Sequence, residues 1–566
     1  MRRFLIGFLA TIGGLVFLLL VAGGFLVWRF LPMRVDLPSQ ILLTDDWRPG
    51  LSETPGAPNL LELELRPRPT VTDIVLALDA AARDPRVKGL LVHLAETSNG
   101  LAVTQELRDA VGRFRAAGKF AIAYADTFGE LGSGNEGYYL ATAFDDIELQ
   151  QIGLVGLTGL GTEVPLAREL LATLGVELEV LRRAEYKSAL ESLTESELSA
   201  PNREQLEALL DTLSTQVVTG IAEGRSLTAD QVRRRIDRGP FSGEDALAAG
   251  LVDRLHYDDQ ALSGALRRAG AGAKAVGLGD YADSLAAPAD PAATVALVRA
   301  AGLIRRGKAP LETEIAADSL VGTLREISDD PQIAAVILRI DSGGGSAVAS
   351  ETIRRALDEV HASGRPVIVS MSNAAASGGY WITAGADRIV AHPATLTGSI
   401  GVIAGKPVLE EAWRKLGVSW AEIDRGDNAV IWSLNRPYSE EARARVDDLV
   451  GWLYERFIAV VSNGRDLPPD KVREIAKGRV WAGETAQQLG LVDEIGGLHA
   501  ALAAARRSLQ LPPNTVLAVD VWPRVENPLR VVLRSLRPIA SRLQLVLGLF
   551  EAPLQGTAVS APVLVR

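Results

Sequence analysis

The chain has 566 residues, 47% of them hydrophobic, which is enough for two cores, because a single core rarely grows beyond about 250 to 300 residues. Its net charge is -11 with lysine and arginine scattered through the body, so it carries no nucleic-acid footprint. It contains no cysteine, which excludes disulfides, thiolate metal sites and cysteine nucleophiles but leaves the redox compartment open.

Near the amino terminus, Phe4 to Trp28 forms an apolar run without one charge. Spanning a bilayer takes about 20 residues, whereas the hydrophobic region of a cleaved signal is only about 7 to 15 residues long. A retained transmembrane anchor is therefore expected over 4–28. Arg2 and Arg3 precede it and Arg29 and Arg34 follow it, a slight bias that places the amino terminus in the cytoplasm and the body outside.

Beyond the anchor the chain repeats itself. Asp84-Pro-Arg-Val-Lys-Gly-Leu-Leu-Val-His-Leu94 mirrors Asp330-Pro-Gln-Ile-Ala-Ala-Val-Ile-Leu-Arg-Ile340, Leu174-Gly-Val176 answers Leu416-Gly-Val418, and Gly250-Leu-Val-Asp253 answers Gly490-Leu-Val-Asp493. The pairs lie roughly 240 residues apart in one order, the period of a domain and not of a solenoid. An amino-terminal repeat over 45–285, a linker over 286–293 rich in alanine and proline, and a carboxyl-terminal repeat over 294–522 follow. Within each repeat, apolar runs without polar alternation (Ala334 to Ile340, Pro366 to Ser370) flank helical patterns (Ser350 to Ser363). Strands buried on both faces imply a parallel sheet covered by helices, so the fold class is α/β. The tail, 523–566, carries Arg530, Arg534, Arg537 and Arg542 among aliphatic residues and is broken at Pro538. It reads as amphipathic pieces for a membrane surface or a partner subunit.

The repeats differ where chemistry would sit. Gly379-Tyr-Trp-Ile-Thr-Ala384 matches Gly137-Tyr-Tyr-Leu-Ala-Thr142, and that register sets Ser377 opposite Asn135. Ahead of Ser377, Asp341-Ser-Gly-Gly-Gly-Ser346 follows a strand and exposes backbone N–H groups suited to an oxyanion or a phosphate, unless it is a plain turn. It lacks the Gly-Lys-Ser/Thr of a P-loop, and Glu96 to Gly100 replaces it in the first repeat. A serine needs a base. None of the five histidines (His93, His256, His361, His392, His499) sits in a nucleophile or base motif, and His93 reads as a satisfied core residue. No His-Glu-x-x-His spacing marks a metal, and no cofactor is expected. The repeat nominates a lysine instead: Lys187, in Arg183-Ala-Glu-Tyr-Lys-Ser-Ala-Leu190, falls opposite Ala429. A surface lysine would be a solvated charge. A base must be neutral, and lowering a pKa of about 10.4 by about three units costs about 4 kcal/mol, which burial between the repeats could supply.

Tyr186-Lys-Ser-Ala189, Ala375-Ala-Ser-Gly-Gly-Tyr-Trp381 and Thr397-Gly-Ser-Ile-Gly-Val402 together resemble the signal peptide peptidase A family, the bacterial membrane-anchored protease IV, in its long two-domain form. The resemblance implies a tandem duplication of the Clp-protease/crotonase-like fold, with Ser377 as nucleophile, Lys187 as general base and Ser399 holding the lysine. It implies oxyanion donors at Gly344 and Gly378, cleaved signal peptides and other short hydrophobic peptides as substrates, a homotetramer, and a place in the bacterial inner membrane with the catalytic body facing the periplasm. One position departs from the family turn: Gly343 stands where proline is expected. Two rivals remain, a noncatalytic membrane scaffold of the same fold and a crotonase-type acyl-CoA enzyme. Retention of both Ser377 and Lys187 counts against the first, and an export anchor against the second, since coenzyme A is cytoplasmic.

Overall fold

The computed structural model describes residues 37–55, 68–96, 99–130, 132–285, 290–309 and 314–524. The expected anchor over 4–28, residues 286–289 of the expected linker and all but 523 and 524 of the expected tail lie outside the described residues. Among the described residues no helix is long and apolar enough to cross a membrane.

The fold is α/β, built around two mostly parallel sheets within one compact unit that ends at Asp520. The first sheet runs Arg254–Leu255, Asp146–Leu149, Phe120–Ala125, Val87–Leu94, Ile41–Asp46, Lys274–Gly277, every neighbour parallel. In the second, Ala293–Ala301, Ile333–Ser342 and Val367–Ala376 pair in parallel, and Val367–Ala376 then splits, pairing Arg388–Ala391 early and Leu396–Gly398 late. Helices cover these strands, which is why Ala335 to Ile340 reads as an apolar run interrupted only by Arg339: each residue there is buried.

Equivalent hydrogen bonds recur at the spacing of the sequence repeat. Tyr138 donates its hydroxyl to the Leu251 carbonyl (2.8 Å), and Tyr380 donates to that of Leu491 (2.9 Å). Arg225 pairs with Asp253 and Arg465 with Asp493, while the same aspartates accept from the Ile147 and Ile389 amides. Two helices of 26 residues, Ala200–Arg225 and Glu440–Arg465, begin on the serine caps Ser199 and Ser439. Each ends on a left-handed residue, Ser226 and Asp466.

The halves are interleaved. Strand Glu177–Arg183 of the first pairs antiparallel with Val402–Val408 of the second. Helix Leu101–Ala116 of the first packs against strand Val367–Ala376 of the second, and Arg339, 1% exposed, is held between Glu53 and Glu106, with 2.6 Å contacts to each. The desolvation of three buried charges is offset only while all of them are present. Arg339→Met is therefore expected to lower stability by about 3 to 5 kcal/mol in urea unfolding, because two carboxylates lose their cation. A double-mutant cycle with Glu106→Gln should show strong coupling, and additive losses would contradict this account.

Candidate active site

Strand Val367–Ala376 carries Ser377 at its end and is distorted on the way. Ile340 pairs with Met371, but the next pair is Ser342 with Ala375, so two extra residues bulge out of the strand. The bulge is pinned on both sides. Ala374 donates its amide to Asp341 Oδ1 (2.9 Å), while Asn373 reaches into the first half, donating to the Asn99 carbonyl (2.8 Å) and accepting from the Val103 amide (3.2 Å). Ser377 then adopts φ 55° and ψ -119°, a conformation rare for a residue with a side chain, and starts helix Gly378–Thr383. The turn is tight enough that a side chain at Gly378 would stand 2.6 Å from Ser350 Oγ.

Lys187 comes from the turn after strand Glu177–Arg183 and is 4% exposed. Its Nζ lies 3.0 Å from Ser377 Oγ, 2.7 Å from the Ser399 carbonyl oxygen and 2.9 Å from Ser399 Oγ. The three residues grouped by sequence thus meet at one amine. Among the described residues no carboxylate pairs with it, and burial alone pushes its pKa down to about 8 from an ordinary 10.5.

Two glycines of the second half let the lysine pass. A Cβ at Gly478 would lie 2.7 Å from the Lys187 amide nitrogen, and one at Gly401 would lie 3.2 Å from Lys187 Cδ. The loop around Gly478 joins the two sides of the site. The Lys477 carbonyl accepts the Tyr186 amide (3.0 Å), and the Arg479 carbonyl accepts the Ser399 amide (2.7 Å). The Arg479 guanidinium lies over the Tyr186 ring and donates to Glu204 of the first half, to which the Tyr186 hydroxyl also donates. Sequence reading quoted Gly401 within a motif without giving it a task, and missed Gly478 and Arg479. Their only signal was a glycine between two cations.

The glycine turn is shaped by Ser342, whose Oγ donates to the Gly302 carbonyl (2.7 Å) and accepts the Gly344 amide (3.1 Å). Those bonds hold the turn where proline would have. Gly343 has no positive φ, and a Cβ there would meet no neighbour within 4 Å, so the absence of proline strains nothing. The Gly344 N–H is spent on Ser342, whereas the N–H groups of Gly345 and Gly378 have no acceptor among the described residues. The first half fills the corresponding space. Asn135, opposite Ser377, donates to the Gly159 carbonyl (2.6 Å) and accepts the Thr158 and Gly159 amides. Its neighbour Glu136, opposite Gly378, accepts the Asn99 amide (2.5 Å), and Asn99 is the counterpart of Gly345.

Histidine takes no part in this arrangement. His93, His256, His361 and His499 each face a carboxylate at 2.8 to 3.1 Å, and buried His392 lies 3.8 Å from Glu106. Asp341 is a further ionisable group beside the site, raised to about 6 by burial and then by Glu53. Sequence reading included it in the glycine turn but gave it no role.

Comparison with known proteins places the chain in a family. Residues 113–283 and 359–511 match the model of peptidase family S49. The chain is 32% identical over 470 residues to a serine protease SPPA, chloroplastic, of Arabidopsis thaliana, covering 81% of this chain and 68% of that one. It is 32% identical over 492 residues to protease 4 of Haemophilus influenzae (83% and 77% covered), and 32% over 461 residues to protease 4 of Salmonella typhi (78% and 72%). With more than half its length matched by the family model and its relatives aligned across both halves, the chain belongs to peptidase family S49.

Proposed function

We propose that this serine peptidase of the signal peptide peptidase A family works by acyl transfer, with Ser377 as nucleophile and neutral Lys187 as general base. The observation that carries the reading is the buried Lys187 amine, without a counter-ion among the described residues and 3.0 Å from Ser377 Oγ. A neutral amine has two N–H groups and one lone pair. Ser399 offers two acceptors, its carbonyl and its hydroxyl, so the lone pair is left to take the Ser377 proton. Attack on a peptide carbonyl forms the acyl-enzyme while Lys187 returns the proton to the leaving amine. Water activated by the same lysine then releases the acid.

The oxyanion donors are proposed to be Gly378 and Gly345. Gly344, expected from sequence, has its N–H engaged by Ser342. The first half supports the reassignment, because there the counterpart of Gly345 already binds a carboxylate oxygen. Gly344 instead allows close approach, since a Cβ on it would stand 2.8 Å from both the Gly378 nitrogen and Ser377 Cβ. Each such donor contributes about 3 to 4 kcal/mol to catalysis.

The wider reading is a tandem duplication of the Clp-protease/crotonase-like fold with repeats over 45–285 and 294–522. It is supported by the paired tyrosine and arginine contacts of the two halves. The chain is held in the bacterial inner membrane by the apolar run over 4–28, with its body in the periplasm. There it degrades cleaved signal peptides and other short hydrophobic peptides as a homotetramer.

Cleavage of a synthetic signal peptide by the full-length protein tests the mechanism. Ser377→Ala and Lys187→Ala should each lower kcat about a thousandfold or more, and a Lys187→Ala enzyme with most of its activity would contradict the dyad. The pH profile of kcat/KM should rise through about 8 as the lysine loses its proton, with about a tenth of full activity at pH 7. Stability should show the reverse side of that tuning. Because the folded pKa lies below the unfolded one, the buried ammonium penalises the fold by up to about 3 kcal/mol below pH 8, and the penalty fades as pH rises towards 10.5. Lys187→Met should therefore melt above wild type at pH 7, with a gap that closes at high pH. A gap independent of pH would contradict the lowered pKa.

A further inference from the structure

Two helices related by the sequence repeat are capped in different ways. Helix Ala347–Ala362 of the second half caps itself, since Ser346 Oγ accepts the Ala349 amide (3.3 Å). Its counterpart in the first half is Leu101–Ala116, and the constant spacing from Asp84 and Asp330 to Lys119 and Arg365 sets Gly100 opposite Ser346 and Val103 opposite Ala349. Gly100 has no side chain to offer. The cap comes instead from the other half of the chain: the Val103 amide donates to Asn373 Oδ1 (3.2 Å), on the strand that leads to Ser377. The same carboxamide donates through Nδ2 to the Asn99 carbonyl (2.8 Å). Gly100 adopts φ 85°, and a Cβ on it would overlap the Asn373 side chain, so the missing cap in one half makes room for the replacement from the other.

This clamp holds a strand that has another register open to it. Two extra residues lie between the pairs Ile340 with Met371 and Ser342 with Ala375. A slip that returned them to the ladder would keep every side chain on its own face, because the period of a strand is two, and would carry Ser377 about 6 to 7 Å along it. Only 3.0 Å separates Ser377 Oγ from Lys187 Nζ, so such a slip would break the dyad. Each bulge residue has its own tie. Ser372 donates its hydroxyl to Glu53 (2.6 Å) and Ala374 its amide to Asp341 (2.9 Å), while Asn373 carries the clamp. Helix Leu101–Ala116 is a firm post for that clamp, because Gln105 and Glu106 on it accept the Ala394 (2.9 Å) and Leu498 (2.6 Å) amides of the second half.

We propose that Asn373 is a positioning residue for Ser377: by capping a first-half helix from the second half, it locks the bulge and so sets the nucleophile's distance from a base that the first half supplies. It acts on the serine through the strand and leaves the lysine to Ser399. This inference rests on the Ser377 and Lys187 dyad proposed above.

Signal-peptide cleavage by the full-length protein tests it. Asn373→Ala should lower kcat about ten- to a hundredfold with KM within about twofold. The midpoint of its pH profile should stay at about 8, because Lys187 keeps its surroundings. Asn373→Asp retains an acceptor for the Val103 amide but, when ionised, no donor for the Asn99 carbonyl, so it should melt with wild type and recover only part of the rate. Gly100→Ala reaches the same contact from the first half by pushing the Asn373 side chain aside. It should lower kcat in wild type and much less in Asn373→Ala, a coupling that a cap serving only its helix would not produce. If Asn373→Ala melts lower but keeps wild-type kcat, or if the Gly100 and Asn373 losses are independent, the side chain is a cap and nothing more, and the positioning role is overturned. A shifted pH midpoint overturns it too, since Asn373 would then act on the lysine. Ser377→Ala, measured alongside, separates the two readings. If it still cleaves, the dyad itself is wrong, whereas an inactive Ser377→Ala beside a fully active Asn373→Ala overturns the positioning role alone.

Discussion

An amine that is buried without a counter-ion governs the site. Lys187 has hydrogen bonds to two serines and no carboxylate among the described residues, so its environment favours the neutral form. Such an environment cannot be made by one half alone. The lysine arrives from the first half, both serines from the second, and the low dielectric comes from closing one on the other. Gly401 and Gly478 are glycines because that closure brings backbone against the lysine stem. The bulge at Ser372 to Ala374 exists at the same junction, with Asn373 turned towards the first half and Ala374 held by Asp341.

The two halves differ at the positions where the candidate site is built. Each retains the strand, the turn and the helix start of the same unit, but the first has Asn135 and Glu136 where the second has Ser377 and Gly378. Those two side chains satisfy the backbone groups that an open site would present to substrate. The first half instead brings Lys187 to the serines of the second.

Much of this was legible in the sequence, for reasons that can be named. Parallel strands buried on both faces leave apolar runs such as Ala335 to Ile340, and a domain-length repeat shows which residues one copy lost. Reciprocal loss singled out Ser377 and Lys187 without any distance. What stayed hidden depended on backbone direction. Three successive glycines look alike in sequence, and only the bond from the Gly344 amide to Ser342 Oγ separates Gly344 from Gly345. Gly343 raised a question about the turn that the two bonds of Ser342 answer. Lys477 and Arg479 lie about 290 residues from Lys187 in sequence and brace its neighbours Tyr186 and Ser399 through carbonyl oxygens, which no side-chain pattern reports.

The most direct measurement is the location of a covalent acyl group. Wild-type protein treated with a peptidyl acylating reagent at pH 8, digested and examined by mass spectrometry, should carry the acyl group on Ser377, and Lys187→Met should acquire almost none. An adduct on another residue, or equal labelling of Ser377 in Lys187→Met, would contradict a nucleophile activated by a buried neutral lysine.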